Sequence, residues 1–231
     1  MSEYVIMSLK SHRKTGGFSL VEMAIVLAIV ALLLGGLLPT ISSQIEQARR
    51  SETRKQMDEI RSALLGFATA NGRLPCPANP SISTGSVNAG VSAGTPGACT
   101  SNPGIVPWVD LGISETDAWG RRFTYSVAST FTTSFTLSTA ANLNVLNAAG
   151  GNAIASGVPA VIVSHGTNGL GAYTSQGVQV PTTGAGADEI ENTDGSPFVS
   201  HDLVQNGFDD LVIWLSPNTL FDRMVAAGKL P

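Results

Sequence analysis

Charge is the first thing this 231-residue sequence is short of. Asp, Glu, Lys and Arg make up only 13% of it, so much of its surface must be neutral Ser, Thr, Asn and Ala. The balance is acidic, −4 overall, and an acidic chain is a poor ligand for a polyanion, which argues against general nucleic-acid affinity. Histidine is nearly missing, with three in all. His201-Asp202 with its nearby serines is the closest approach to a hydrolytic constellation, yet no Gly-x-Ser-x-Gly elbow or His-Glu-x-x-His motif accompanies it. His165 and His201 both stand in polar stretches, where a solvated imidazole is the default. No glycine loop opens a helix in the manner of a phosphate cradle, and no internal repeat stands out. There are two cysteines, Cys76 and Cys99. Without histidines nearby they do not complete a zinc site, and they agree with an oxidising compartment. These absences leave catalysis without a carrier.

What the chain does have is concentrated at its start. Lys14-Thr15-Gly16-Gly17-Phe18-Ser19-Leu20-Val21-Glu22 leads into an unbroken apolar run from Met23 to Leu38. As a helix, residues 18–38 reach roughly 31 Å, which matches a bilayer core of about 30 Å. The run is too long for the h-region of a secretory signal, about 7–15 residues, and the glycine pair precedes it instead of following it. A plain membrane anchor leaves Glu22 unexplained. A carboxylate costs about 2.5–3.5 kcal/mol at the centre of a membrane helix and less near its end, where it still asks for a partner. Lys10, Arg13 and Lys14 against Glu3 give residues 1–17 a charge of +2, which leaves −6 on the remainder. A basic leader predicts a cytoplasmic N-terminus with the rest of the chain exported.

This stretch resembles the N-terminus of the type IV pilin superfamily, which includes the pseudopilins of type II secretion. The resemblance implies that prepilin peptidase cuts between Gly17 and Phe18 and methylates the new N-terminal Phe18. It makes Glu22 the fifth mature residue, which pairs with the terminal amine of a neighbouring subunit during filament assembly. Pro39 falls where many pilins carry a helix-kinking proline. With Gly35-Gly36 just before it, a kink or local melting is expected near residues 35–39. The implied partners are other pilin or pseudopilin subunits, the peptidase and an inner-membrane assembly platform, with no nucleic acid. The implied location is the bacterial inner membrane, leader cytoplasmic and globular domain periplasmic, followed by a periplasmic or surface filament.

The predicted fold is α+β, a long N-terminal helix packed on a small antiparallel sheet of about four strands with long loops. Four parts follow: a leader over 1–17, a membrane and filament-core helix over 18–39, its amphipathic continuation over 40–72, and a globular domain over 73–231. Ile41, Ile45, Ala48, Met57, Ile60, Leu64 and Phe67 recur at helical steps. Over 53–70 that stripe is expected to lie on the domain core, while 40–52 meets other subunits. Gly72 is a good C-cap. Residues 73–107 read as a long loop, most of it bracketed by Cys76 and Cys99. A disulfide there would be worth about 3 kcal/mol, and two free buried cysteines are the alternative. Phe123–Val127 alternates as a half-buried strand, and Phe131–Leu137 is a second alternating run, so 122–137 is expected to form a hairpin. Residues 139–157 carry no clear pattern. Val158–Ser164 and Leu211–Leu215 are apolar strands, with a polar, acid-bearing loop over 165–207 between them. Ser216-Pro217 starts a short helix ending at Gly228, with Leu220, Met224 and Val225 on one face. Trp119 and Trp214 read as core anchors.

A second resemblance concerns Gly72-Arg73-Leu74-Pro75, Asp117-Ala118-Trp119-Gly120 with Tyr125, Ser164-His165-Gly166-Thr167-Asn168-Gly169, and Asp209-Asp210-Leu211 with Trp214. In this order they look like segments of the major pseudopilin of type II secretion, which binds calcium at the last two. The side-chain ligands this carries over are Asn168, Asp209 and Asp210, with a backbone carbonyl near His165 or Thr167. Adjacent carboxylates before a buried strand do repel one another unless a cation or base is near. Asn168 is a neutral amide where the family usually has an acid. The alternative readings are a minor pilin with an adhesive or DNA-uptake role, a ligand-binding surface on the Ser/Thr/Gly loops, and a membrane-tethered hydrolase using His201.

Overall fold

A computed structural model describes residues 17–204 and 207–231, and of residues 34–41 the helical backbone without the side chains. The leader residues 1–16 lie outside the described residues. The chain divides into two units, Met1–Glu46 and Gln47–Pro231.

Helix α1 runs from Leu20 to Asn71. Ser19 caps it. The Ser19 N–H donates to Glu22 Oε2 at 2.8 Å, and the Glu22 N–H donates to Ser19 Oγ at 3.2 Å. Ser19-Leu20-Val21-Glu22 is therefore a capping box, and the helix starts at Leu20 and not at Phe18. The helical backbone continues through Gly35-Gly36 and Pro39, so the local melting expected there is not found. The Pro39 side chain lies outside the described residues. The apolar side chains that are described stand exposed, Leu20 at 88% and Leu32 at 77%. Among the described residues, no helix is long and apolar enough to cross a membrane.

The second unit begins inside α1. Thr53, Met57, Ile60, Leu64 and Ala68 form its buried face at steps of three and four, and Gly72 ends the helix at φ +72°. The elements that follow are β1 (Gly94–Thr95), β2 (Ala98–Cys99), β3 (Gly104–Ile105), α2 (Trp108–Leu111), β4 (Arg121–Arg122), β5 (Thr124–Val127), a 3-10 turn (Ser129–Phe131), β6 (Leu143–Leu146), β7 (Ala153–Val158), β8 (Ala160–Ser164), β9 (Tyr173–Thr174), α3 (Ala187–Asp194), β10 (Phe198–Val199), β11 (Leu211–Leu215) and α4 (Pro217–Ala226). The main sheet has four antiparallel strands in the order β11-β8-β5-β3. All five residues of β8 are buried, which requires cover on both faces. Its apolar residues share one core with Met57, Ile60, Leu64, Tyr125, Leu215 and Met224. Losing a side chain such as Leu64 from that core costs about 2–5 kcal/mol.

Several expectations need correction. Phe131–Leu137 is not a strand. Thr132 Oγ1 donates to the Ser129 carbonyl and Thr133 Oγ1 to that of Thr130, and such local bonds favour turns over a sheet ladder. Phe131 and Phe135 instead pack on each other, ring centroids 4.8 Å apart, and each meets Phe221 of α4 at 6.1 Å. The patternless 139–157 segment holds β6 and β7. With β10 it makes a three-stranded sheet in which β10 and β6 run parallel. The polar 165–207 region contains β9, α3 and β10. In α4, Leu220 and Met224 are buried but Val225 is exposed. Trp119 and Trp214 pack against the core while only partly buried.

Cys76 and Cys99 are joined by a disulfide. The segment they open is not surface loop throughout, since Leu74, Cys76 and Ala78 are buried. Much of its anchorage comes from Arg122, which is fully buried. Its Nε lies 2.8 Å from Glu115 Oε1, Nη1 donates to the Pro80 and Ile82 carbonyls, and Nη2 donates to Thr84 Oγ1 and the Ser175 carbonyl. The guanidinium also lies over the Trp108 ring, 4.9 Å from its centroid. Each donor of the planar fork is used, which satisfies a charge that burial would otherwise penalise heavily.

Candidate functional site

Two places carry candidate residues, one in each unit. In the first, Gly17 has open space around its Cα and Phe18 is 79% exposed, so the Gly17–Phe18 bond is sterically free. Glu22 is engaged with Ser19 in the capping box, a role that the Ser-x-x-Glu spacing shows and that the expectations above did not assign.

The second site lies at one end of the main sheet. β8 and β11 pair from Leu211↔Ser164 onward, so the turn leaving β8 and the acids entering β11 are brought together. Gly166 takes φ +55°, and any Cβ there would overlap the Asp209 backbone. The turn closes by bonding the acids. The Asn168 N–H donates to Asp209 Oδ2 at 2.8 Å. The Asn168 side chain faces the other way round from a ligand. Its Oδ1 accepts the Leu170 N–H at 2.8 Å, while its Nδ2 donates to Glu189 Oε1 at 2.6 Å. The oxygen that was to serve as a ligand is thus committed to its own turn.

Glu189 enters from α3. It belongs to the polar, acid-bearing stretch 165–207, yet it is only 3% exposed. Its Oε2 accepts the Gly186 N–H at the start of α3, where the cap residue has no side chain of its own. One turn later, buried Asn192 donates to Asp210 Oδ2 at 2.8 Å and brackets Val199 through both its amide atoms. α3 therefore fastens β10 and β11 together and carries a third carboxylate to the pair. One oxygen from each of Glu189, Asp209 and Asp210 lies within 4.8 Å of the others. Asp209 Oδ1 and Asp210 Oδ1 are buried without a hydrogen-bond partner. His165 is also buried, correcting its reading as a solvated imidazole. Its Nε2 meets Thr124 Oγ1 at 2.9 Å, and its unpartnered Nδ1 stands 3.8 Å from Asp210 Oδ1.

The electrostatics follow from this crowding. Burial pushes the Asp209 carboxyl up to about 6, and neighbouring Glu189 adds to the rise, against the Asn168 and Thr167 N–H groups. Burial also holds Asp210 well above the usual carboxylate range, with Asn192 opposing and the Asp209 and Glu189 charges adding. Burial lowers His165 to about 4, so it is neutral near pH 7. Oxygens on opposite sides of a calcium ion at about 2.4 Å stand roughly 4.8 Å apart, so the three carboxylates have the spread a hard cation needs. The donor set is hard oxygen throughout.

His201 is held by side-chain and backbone partners among the described residues. Its Nε2 meets Asp188 Oδ2 at 3.0 Å, its Nδ1 faces the Asp202 carbonyl, and its ring stacks on Phe208. Both nitrogens are thereby engaged, and the Nε2 contact ties His201 to α3.

No curated protein and no solved structure matches the chain. A family model described as the prokaryotic N-terminal methylation motif matches residues 12–38. The chain therefore carries a prokaryotic N-terminal methylation motif, a leader of the type IV pilin-like prepilin kind.

Proposed function

We propose that this protein is a structural pilin-like subunit, a pseudopilin of a type II secretion or type IV pilus filament. The observation that carries the reading is the methylation motif at 12–38, whose Gly17–Phe18 junction opens an apolar helix with Glu22 as its one acid. In this reading residues 1–17 are the cleaved leader and 18–39 span the inner membrane and later lie in the filament core. Residues 40–72 continue the helix, and 73–231 form the periplasmic domain. Prepilin peptidase, an assembly platform and other pilin subunits are its partners. Exposed apolar side chains from Leu20 to Leu33 then find cover against equivalent helices, which removes their contact with water or lipid. Glu22 pairs with a neighbour's Phe18 amine, offsetting the cost of an otherwise unpaired buried carboxylate. A structural subunit needs no catalytic centre.

The same reading includes calcium at the end of the main sheet, held by Asp209, Asp210 and Glu189 with carbonyls of the 165–169 turn. The two orphaned carboxylate oxygens support it. Bound there, the ion would neutralise three crowded acids and tie α3, the β8 turn and β11 together. Asn168 acts here by orienting Glu189 and Asp209.

The deciding experiment is mass spectrometry of the protein made with and without prepilin peptidase. With the enzyme, the mature chain begins at methylated Phe18, and Gly17→Val leaves it at full length. An unchanged Phe18 terminus in Gly17→Val, or none in the wild type, rejects the reading.

A further inference from the structure

The free edge of the main sheet has no role so far. Among the described residues β11 pairs with β8 on one side only, so every second residue of Leu211–Leu215 turns its N–H and C=O away from the sheet. Edge strands are commonly blunted by lysine, proline or inward charge, and Leu-Val-Ile-Trp-Leu has none of these.

A groove of about 590 Å3 is lined by Val212, Ile213, Trp214, Leu215 and Ser216 in unbroken succession. Side chains alternate between the two faces of a strand, so consecutive residues line one groove only where it follows the backbone edge. A second groove, of about 290 Å3, continues along Asp210–Ile213. The walls of the larger groove come from α1 and α4, and the charged residues in its lining are Arg61 and Arg223. Arg223 also meets Ser62 and Leu65 of α1 in an adjoining hollow, so both cations stand on the helix side of the edge. The smaller groove has a different balance, Arg54 standing there with Asp58, Asp202 and Asp210. Asp58 is paired with Arg61 at 2.8 Å, with both side chains largely exposed.

We propose that this edge docks an extended, acidic peptide segment of a partner protein. The segment adds as a fifth strand to the main sheet. Its backbone pairs with β11, its apolar side chains lie along Val212 and Trp214, and its carboxylates stand by Arg61 and Arg223. Strand addition obtains affinity from main-chain bonds and selectivity from what flanks them. Along the larger groove the flank is cationic, so an acidic segment is favoured there and a basic one repelled. Two copies of β11 pairing with each other would instead bring the arginines of both together. The proposal rests on the globular unit alone and stands apart from the filament reading.

The probe is a synthetic peptide, Thr-Glu-Val-Glu-Val-Glu-Thr, with a lysine-for-glutamate counterpart, offered to the full-length protein in neutral detergent micelles. Amide hydrogen exchange across residues 211–215 is the readout. The acidic peptide should slow exchange at alternate β11 amides by roughly tenfold, more weakly as salt is raised, and the lysine peptide should not. Arg61→Glu with Arg223→Glu should exchange the preference. Both side chains are exposed, and an unchanged melting temperature confirms that the variant is folded. Protection by neither peptide, equal protection by both, or an unchanged preference in the double variant overturns the proposal. Protection that rises with protein concentration in the absence of peptide would assign the edge to a second copy and overturn it equally.

Discussion

Gly166 lies so close to Asp209 that a Cβ on the glycine would overlap the aspartate's carbonyl oxygen. The turn after β8 and the entry to β11 are thereby held in contact, although 43 residues separate the two positions in the chain. The contact sets where the three carboxylates meet, and it defines the first prediction.

Calcium at millimolar concentration should raise the melting temperature of the full-length protein in detergent. A ligand at a hundred times its Kd stabilises by about 2.7 kcal/mol, and about 2–4 °C per kcal/mol is usual for a domain of this size. Glu189→Ala and Asp210→Ala should each abolish the increment. Asn168→Ala should retain part of it, because the Asn168 oxygen is bound to the Leu170 N–H. Identical melting curves in calcium and in chelator would dispose of the site.

Glu22 has an observed place in the capping box and a proposed one in assembly, and two substitutions separate them. Glutamine at the third helical position also reaches back to the cap N–H, so Glu22→Gln keeps the capping box with Ser19 while removing the charge. Glu22→Ala removes both. Each variant should be cleaved at Gly17. If the charge serves assembly, filament yield falls equally in both. Normal filaments built from Glu22→Gln subunits alone would leave only the capping role.

Arg122→Met should lower stability by about 3–5 kcal/mol in urea denaturation, the usual cost of breaking a buried ion pair from one side. Glu115 and four acceptors lose their donor together. Arg122→Lys should recover only part of this, since an ammonium cannot reproduce the planar fork. Full recovery by lysine would show that charge alone matters there.

Cys76→Ser should cost about 3 kcal/mol, the chain-entropy value for closing a loop whose ends are 23 residues apart. Thiol titration of the unfolded, unreduced wild type should find none free. Two titratable thiols would contradict the bridge.

The amino-acid sequence by itself determined the features that depend on neighbours along the chain. The methylation motif is a local pattern of charge, glycine and apolar residues. The stripe Met57, Ile60, Leu64 announces the buried face of α1, and Gly72 its end, because helical periodicity and a left-handed cap are properties of a few adjacent residues. Val158–Ser164 and Leu211–Leu215 are apolar enough to be recognised as strands without knowing their partners, although Val158 ends β7 and only Ala160–Ser164 forms β8. The Ser19–Glu22 capping box is equally local, since the Ser-x-x-Glu spacing spells it out. Tertiary structure decided the rest. Glu189 is an acid in a polar stretch until α3 folds back and places it between Asn168 and Asp210. Arg122 looks like one of a solvated basic pair until five oxygens from distant segments surround it. His165 is buried because β8 pairs with both β5 and β11. None of these follows from periodicity, because burial of a polar group is fixed by which remote segments supply its hydrogen-bond partners, and those lie tens of residues away.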